Sequence, residues 1–299
     1  MADDLFPAFE SHWIDTEAGR IFARSGGSGP PLVLLHGFPQ THAMWHRLAP
    51  ELARTHRVVC MDLRGYGWSS APSGDKAHET YSKRAMGRDV VRVMEELGHV
   101  RFAVAGHDRG ARVAYRLALD EPGRVERLAL LDILPTFEVW RRIRAGIQPA
   151  AHWEFLARPA PEPETEIGRD PLPYFEGLMR SWSGKKSLDF LDPRALAAYR
   201  QSCNEPSRIH AFCEDYRAGA TLDPEQDEQD MAAGKKLACP TFLVWSARYL
   251  NRPGAAPLLE AWRDTFAPGI TGSEVDCGHF VAEEAPAETL AALRGFLAT

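Results

Sequence analysis

Four short runs of consecutive apolar residues, Leu32–Leu35, Val58–Met61, Phe102–Ala105 and Leu128–Leu131, punctuate the first half of the chain. None of them alternates with polar residues. Both faces of each are therefore expected to be buried, as in the central strands of a parallel sheet. Stretches of helical spacing separate them. Lys83–Leu97 gathers Met86, Val90, Val91, Met94 and Leu97 on one side, and Ala111–Leu119 forms a second amphipathic segment. After Lys235 the rhythm resumes with a strand at Thr241–Trp245, a helix over Ala255–Phe266, a short strand at Ser273–Val275 and a last helix over Glu288–Leu297. Buried strands alternating with helices predict an α/β fold built on a mostly parallel sheet flanked by helices.

Between Ile133 and Gly234 the rhythm breaks. No buried-strand run occurs there, prolines cluster at 159, 161, 163, 171 and 173, and the aromatic residues Trp140, Trp153, Tyr174, Trp182, Tyr199 and Tyr216 sit in helical segments. The pattern predicts a helical cap domain, residues 133–234, inserted into a core domain made of residues 1–132 and 235–299. A boundary of that kind readily forms a pocket.

The formal net charge of −6 disfavours nucleic acid and anionic membranes as partners, because both need a basic field. An anionic substrate would then depend on local arginines. No apolar run approaches the roughly 20 residues that cross a bilayer. The start, MADDLFPAFE, is acidic and carries no signal-peptide pattern, so a cytoplasmic location is expected. Cys60, Cys203, Cys213, Cys239 and Cys277 are odd in number and form no CxxC pair, which points to free thiols rather than a disulfide or zinc framework.

The segment with most chemical content is Gly106-His107-Asp108-Arg109-Gly110, which joins the Phe102–Ala105 strand to the following helix. Glycine-x-nucleophile-x-glycine at such a junction is a nucleophile elbow, here with Asp108 where serine often stands. The helix N-terminus favours an ionised carboxylate at that place. His36-Gly37-Phe38-Pro39 follows the Leu32–Leu35 strand, and the backbone N–H groups of Phe38 and Arg109 are candidate oxyanion donors. His36 reads as structural. Near the end, Cys277-Gly278-His279-Phe280 offers His279 as general base, last in the order nucleophile, acid, histidine. The acid falls to Asp132, directly after the Leu128–Leu131 strand, because the loop Ser246–Arg252 contains no carboxylate. Arg109 and Arg112, three positions apart on a helix, can hold a small carboxylate beside Asp108.

Taken together, HGFP at 36–39, Asp62-Leu-Arg-Gly-Tyr-Gly-Trp-Ser69, GHDRG at 106–110 and CGHF at 277–280 resemble the aspartate-nucleophile branch of the α/β-hydrolase superfamily. That branch includes haloalkane dehalogenases, epoxide hydrolases and haloacetate (fluoroacetate) dehalogenases. The arginine after the nucleophile and another three residues on are similar to the last group. The resemblance runs over nearly the whole chain. It implies hydrolytic conversion of a 2-haloacetate to glycolate and halide through an ester on Asp108, with neither metal nor organic cofactor and in a homodimer. It also implies that His152, Trp153 and Tyr216 receive the halide, which suits their N–H and O–H donors. Two other readings are open: an epoxide hydrolase using the same Asp108, Asp132 and His279, with Tyr174, Tyr199 or Tyr216 as acid, and a silent binding protein of the same fold.

Overall fold

The computed structural model describes residues 4–147, 150–250 and 257–298. Eight strands form one sheet: β1 (Glu10–Thr16), β2 (Gly19–Gly26), β3 (Pro31–Leu35), β4 (Arg57–Met61), β5 (Phe102–His107), β6 (Val125–Leu131), β7 (Thr241–Ser246) and β8 (Thr271–Val275). Their order across the sheet is β1-β2-β4-β3-β5-β6-β7-β8. The pairs β1·β2 and β2·β4 are antiparallel and every other pair is parallel. The six strands read from the sequence are all present, each extended by a residue or more. The β1–β2 hairpin escaped the sequence pattern because it is an edge: β1 is largely exposed and mixes polar with apolar residues.

Before β5 lie the short α1 (Ala49–Leu52) and α2 (Lys83–Glu96), and α3 (Asp108–Asp120) follows it. The Ser82 hydroxyl accepts from the Ala85 N–H and caps α2. Helix α3 begins at Asp108, three residues before the apolar spacing starts, because the elbow itself is its first turn. Seven helices then run between β6 and β7: α4 (Thr136–Arg144), α5 (Ala151–Leu156), α6 (Glu162–Ile167), α7 (Pro171–Trp182), α8 (Pro193–Cys203), α9 (Pro206–Ala220) and α10 (Leu222–Ala232). Four of them carry proline at the first or second position, where the missing N–H has no helical partner to lose. Helices α11 (Leu258–Thr265), α12 (Val281–Glu284) and α13 (Pro286–Leu297) complete the chain. The expected start of α11 at Ala255 and the loop positions 251–253 lie outside the described residues.

Strands β3, β5 and β6 are almost wholly buried, with Leu32–Leu35, Val104, Ala105 and Leu128–Leu131 all closed to solvent. In register, Leu35 lies opposite Gly106 and His107 opposite Leu131. The strand ends are therefore level, and the turns carrying Phe38, Asp108, Asp132 and His279 leave one edge of the sheet. In open α/β sheets this carboxyl edge is where ligands bind. All five cysteines are free thiols, four of them buried. No helix among the described residues is long and apolar enough to cross a membrane.

Candidate active site

Asp108 directly follows β5 with φ at +44°, a left-handed conformation that costs a non-glycine residue about 1–3 kcal/mol. The flanking glycines make this turn possible by close approach. A Cβ on Gly106 would stand 2.6 Å from the Gly110 carbonyl oxygen, and one on Gly110 would stand 2.4 Å from that of His36. The turn thus presses against the HGFP loop, and the Phe38 N–H donates to Asp108 Oδ1 at 3.0 Å. Among the described residues the Arg109 N–H, the other expected oxyanion donor, makes no hydrogen bond to the Asp108 side chain.

Asp132 also adopts a left-handed φ, +55°, directly after β6. Its Oδ1 accepts from the Ser246 N–H at 2.8 Å and the Ser246 hydroxyl at 2.7 Å, and Oδ2 lies 2.6 Å from His279 Nδ1. The Asp132 contact fixes the proton on Nδ1 and leaves Nε2 as the basic nitrogen. Nε2 lies 3.9 Å from Asp108 Oδ2, on the side away from Phe38. Two further contacts hold the histidine turn. His107 Nε2 donates to the His279 carbonyl at 2.9 Å, and the His279 N–H donates to the Trp182 carbonyl of α7 at 3.0 Å.

Electrostatics assign the protonation states. Burial works to raise the Asp108 carboxyl, but His279, Arg112, His107 and Arg109 together hold it below the usual carboxylate value, so the nucleophile is ionised. Burial alone would lower His279. The hydrogen bond and charge of Asp132, with the charge of Asp108 behind them, raise it above the ordinary imidazole value instead. His36 is buried and neutral, and its Nε2 accepts from the Leu63 N–H at 3.1 Å, the structural role read from the sequence.

A small cavity lies over the triad. It is lined by Asp108, Arg112, Asp132, Leu134, Val139, His152, Trp153, Trp182, Tyr216, Tyr249, Leu250 and His279. The volume open to the centres of water molecules is only about 20 Å³. Since about 10–15 Å³ on that measure accommodates one water, the cavity suits a reactant of very few atoms. A wider cleft of about 500 Å³ between Trp68, His42 and Arg208 contains neither nucleophile nor base.

His152, Trp153 and Tyr216 come together on the cavity wall. Ring centroids are 5.9 Å apart for His152 and Tyr216 and 5.7 Å apart for Trp153 and Tyr216. None of the three side chains is hydrogen-bonded within the described residues, so their donors are free for a ligand. Burial pushes the His152 imidazole down to about 3, so it is a neutral donor and not a cation. Trp182 packs on His152 at 4.6 Å and Tyr249 on His279 at 4.4 Å.

The two arginines separate. Arg112 lines the cavity: Nη1 donates to the Leu134 carbonyl at 3.1 Å and to Thr136 Oγ1 at 3.0 Å, and its Nε is buried without a partner. The Nε–Nη2 edge is therefore free to fork onto a carboxylate. Arg109 packs against Tyr216 and Trp153 of the wall, and most of its guanidinium is occupied by Asp215. The sequence places both arginines beside the substrate carboxylate; Arg112 has a whole edge free for it, and on Arg109 only Nη1 is unpartnered. Sequence reasoning had no role for Asp215, Ser246 or Tyr249. Asp215 had one visible sign, a carboxylate directly before Tyr216 in an aromatic helix. Ser246 and Tyr249 border a loop with no pattern to place it.

Residues 30–286 match the family model described as alpha/beta hydrolase fold. Over 98% of this chain and 95% of the relative, the sequence is 42% identical to a fluoroacetate dehalogenase from Burkholderia sp. It is 32% identical to a soluble epoxide hydrolase from Corynebacterium sp. (strain C12), over 89% of the chain and 90% of that protein. The solved structure of ALR0039 from Nostoc sp PCC 7120 superposes with a TM-score of 0.90 at 46% identity, covering 97% of this chain and 98% of that one. The chain belongs to the α/β-hydrolase superfamily and, within it, to the haloacetate (fluoroacetate) dehalogenase family.

Proposed function

We propose that the protein hydrolyses a 2-haloacetate such as fluoroacetate to glycolate and halide through an ester on Asp108. The observation that carries this reading is the small cavity itself, which has Asp108, the free edge of Arg112 and three unpartnered neutral donors on one wall. Arg112, assisted by Arg109, holds the substrate carboxylate. Asp108 attacks the α-carbon, the carbon–halogen bond breaks, and His152, Trp153 and Tyr216 replace the water that a small halide loses. His279 Nε2 then takes a proton from water, whose oxygen adds to Cγ of Asp108. The oxyanion forms at Oδ1, against the Phe38 N–H and that of Arg109. Collapse expels glycolate, carrying an oxygen of Asp108, and the proton returns from His279. Residues 133–234 act as the cap domain over a core of 1–132 and 235–299, in a cytoplasmic homodimer that needs no cofactor.

Halide release from fluoroacetate and chloroacetate, with styrene oxide as a counter-substrate, tests the assignment. Release from the haloacetates and no diol from styrene oxide is expected; the reverse result removes the assignment. Two of the three tyrosines that an epoxide hydrolase could use are poorly placed. Tyr199 donates to Glu283 at 3.0 Å and Tyr174 does not line the cavity.

Arg112→Gln should raise KM for chloroacetate by about 10- to 100-fold, the range expected for losing a charged hydrogen-bonding partner. The loss in kcat should be smaller. Steady-state kinetics on both parameters check this, and an unchanged KM would remove Arg112 from carboxylate binding.

A further inference from the structure

The guanidinium of Arg109 is wholly buried one residue from the nucleophile. Its Nε donates to both oxygens of the Asp215 carboxylate, at 3.2 and 3.1 Å, and Nη2 donates to Asp215 Oδ1 and to the Asp215 carbonyl, each at 2.6 Å. Only Nη1 is buried without a partner. The cation lies over the ring of Tyr216 at 4.2 Å and that of Trp153 at 5.3 Å, two residues of the cavity wall. Gly219, one turn along α9 from Asp215, makes the space, since a Cβ there would stand 2.8 Å from Arg109 Nη2.

Asp215 is itself held from the other side. The Tyr66 hydroxyl donates to its Oδ2 at 2.6 Å, and Lys83 Nζ pairs with Oδ1. Lys83 Nζ also lies 3.2 Å from Asp223 Oδ2. Two cations and two carboxylates, all buried, thus form a neutral cluster against the cavity wall. Burial works to raise the Asp215 carboxyl, but Arg109 and Lys83 outweigh it and keep it far below the ordinary carboxylate value.

A guanidinium offers five N–H donors in a rigid plane, and a fork fixed on one edge dictates where the remaining nitrogen points. We propose that Asp215 is a positioning residue for the reaction: by engaging Nε and Nη2 it fixes Arg109 so that Nη1 alone meets the substrate carboxylate, while Lys83 and Tyr66 fix Asp215. The proposal rests on the haloacetate reading of the cavity. In that arrangement Arg112 supplies the fork and Arg109 a single directed donor.

Two full-chain variants test it: Asp215→Asn, and the same change combined with Lys83→Met. The double variant removes one charge of each sign, so the buried cluster stays neutral while Arg109 loses its anchor, and a melting curve on each variant confirms that it is folded. Each is assayed for KM on chloroacetate and for the rate at which Asp108 is alkylated by chloroacetonitrile, read by chloride release. Chloroacetonitrile has the same carbon and leaving group but no carboxylate. KM for chloroacetate should rise by about tenfold or more, as for one lost charge-assisted hydrogen bond, while alkylation by the nitrile changes less than about threefold. Asp215→Glu, which keeps the carboxylate, should recover part of the loss. Equal losses on both probes would reduce Asp215 to a structural role, and no loss on either would remove it altogether; both overturn the proposal. If the unaltered protein neither releases chloride from chloroacetate nor is alkylated by it, the haloacetate reading itself falls and this proposal falls with it.

Discussion

Asp108→Ala should lower kcat on chloroacetate by about 10⁴-fold or more, the scale seen when a nucleophile is removed from a preorganised triad. The fold should survive, because the close approach of Gly106 and Gly110 holds the turn and alanine bears the φ of +44° at a cost of about 1–2 kcal/mol. Acetate, an unreactive mimic of the substrate carboxylate, should bind the variant more tightly than it binds the parent. With Asp108 gone, the cavity keeps the charge of Arg112 and loses the nearest like charge to the ligand. Titration calorimetry with acetate, run beside the kinetics, measures both effects. Residual turnover near the parent level would show that another group attacks.

His279→Gln should separate the two halves of the reaction. Alkylation of Asp108 needs no base, so one halide per active site should be released in a burst and the ester should persist, visible as added mass on the intact protein. Steady-state turnover should drop by about 10⁴-fold, comparable to loss of a triad base elsewhere. The parent enzyme should show the same separation with pH. Asp132 and Asp108 raise His279 above the ordinary imidazole value of about 6.5. The neutral base is present only above that point, so ester hydrolysis should accelerate as pH rises through it and the ester should accumulate below it. Once Asp108 is esterified its negative charge is gone, and one cause of the elevation disappears. The inflection for ester hydrolysis should therefore lie below the pKa of His279 in the free enzyme. Rapid quench across the pH range, with the ester quantified by mass, reads this inflection. A rate independent of pH would contradict His279 as base.

Much of this site was legible in the chain because its chemistry is tied to strand ends. Asp108 and Asp132 each closely follow a run of buried apolar residues, His279 follows the short strand β8 by a few positions, and a parallel sheet brings such positions to one edge. Both elbow glycines were legible for the same reason, being needed wherever a strand turns straight into a helix. The β1–β2 hairpin was not, because an exposed edge imposes no buried pattern. The division of labour between the two arginines was hidden as well. Spacing puts Arg109 and Arg112 on neighbouring positions of α3, but only tertiary contact shows that Asp215, from a helix more than a hundred residues later, occupies one of them. The same holds for Ser246. Its hydroxyl and N–H both serve Asp132, and no local pattern connects residues 132 and 246.

Function also explains features that stability alone would disfavour. Two carboxylates, Asp108 and Asp132, occupy left-handed backbone positions at about 1–3 kcal/mol each. The ion pair of Arg109 and Asp215 is entirely closed to solvent, and breaking such a pair by removing one partner costs about 3–5 kcal/mol. A well-packed apolar pair could replace it without loss of stability, so its presence beside the nucleophile is better explained by the direction it gives to Arg109 than by the energy it adds.

The covalent step is tested most directly by one turnover in ¹⁸O-water with enzyme in excess over chloroacetate. If Asp108 is the nucleophile, the hydroxyl oxygen of the first glycolate comes from its side chain and is unlabelled, and one heavy oxygen is retained in the peptide containing residue 108. Heavy oxygen in that first glycolate, with none in the peptide, would mean that water attacks the carbon directly and would contradict the ester mechanism.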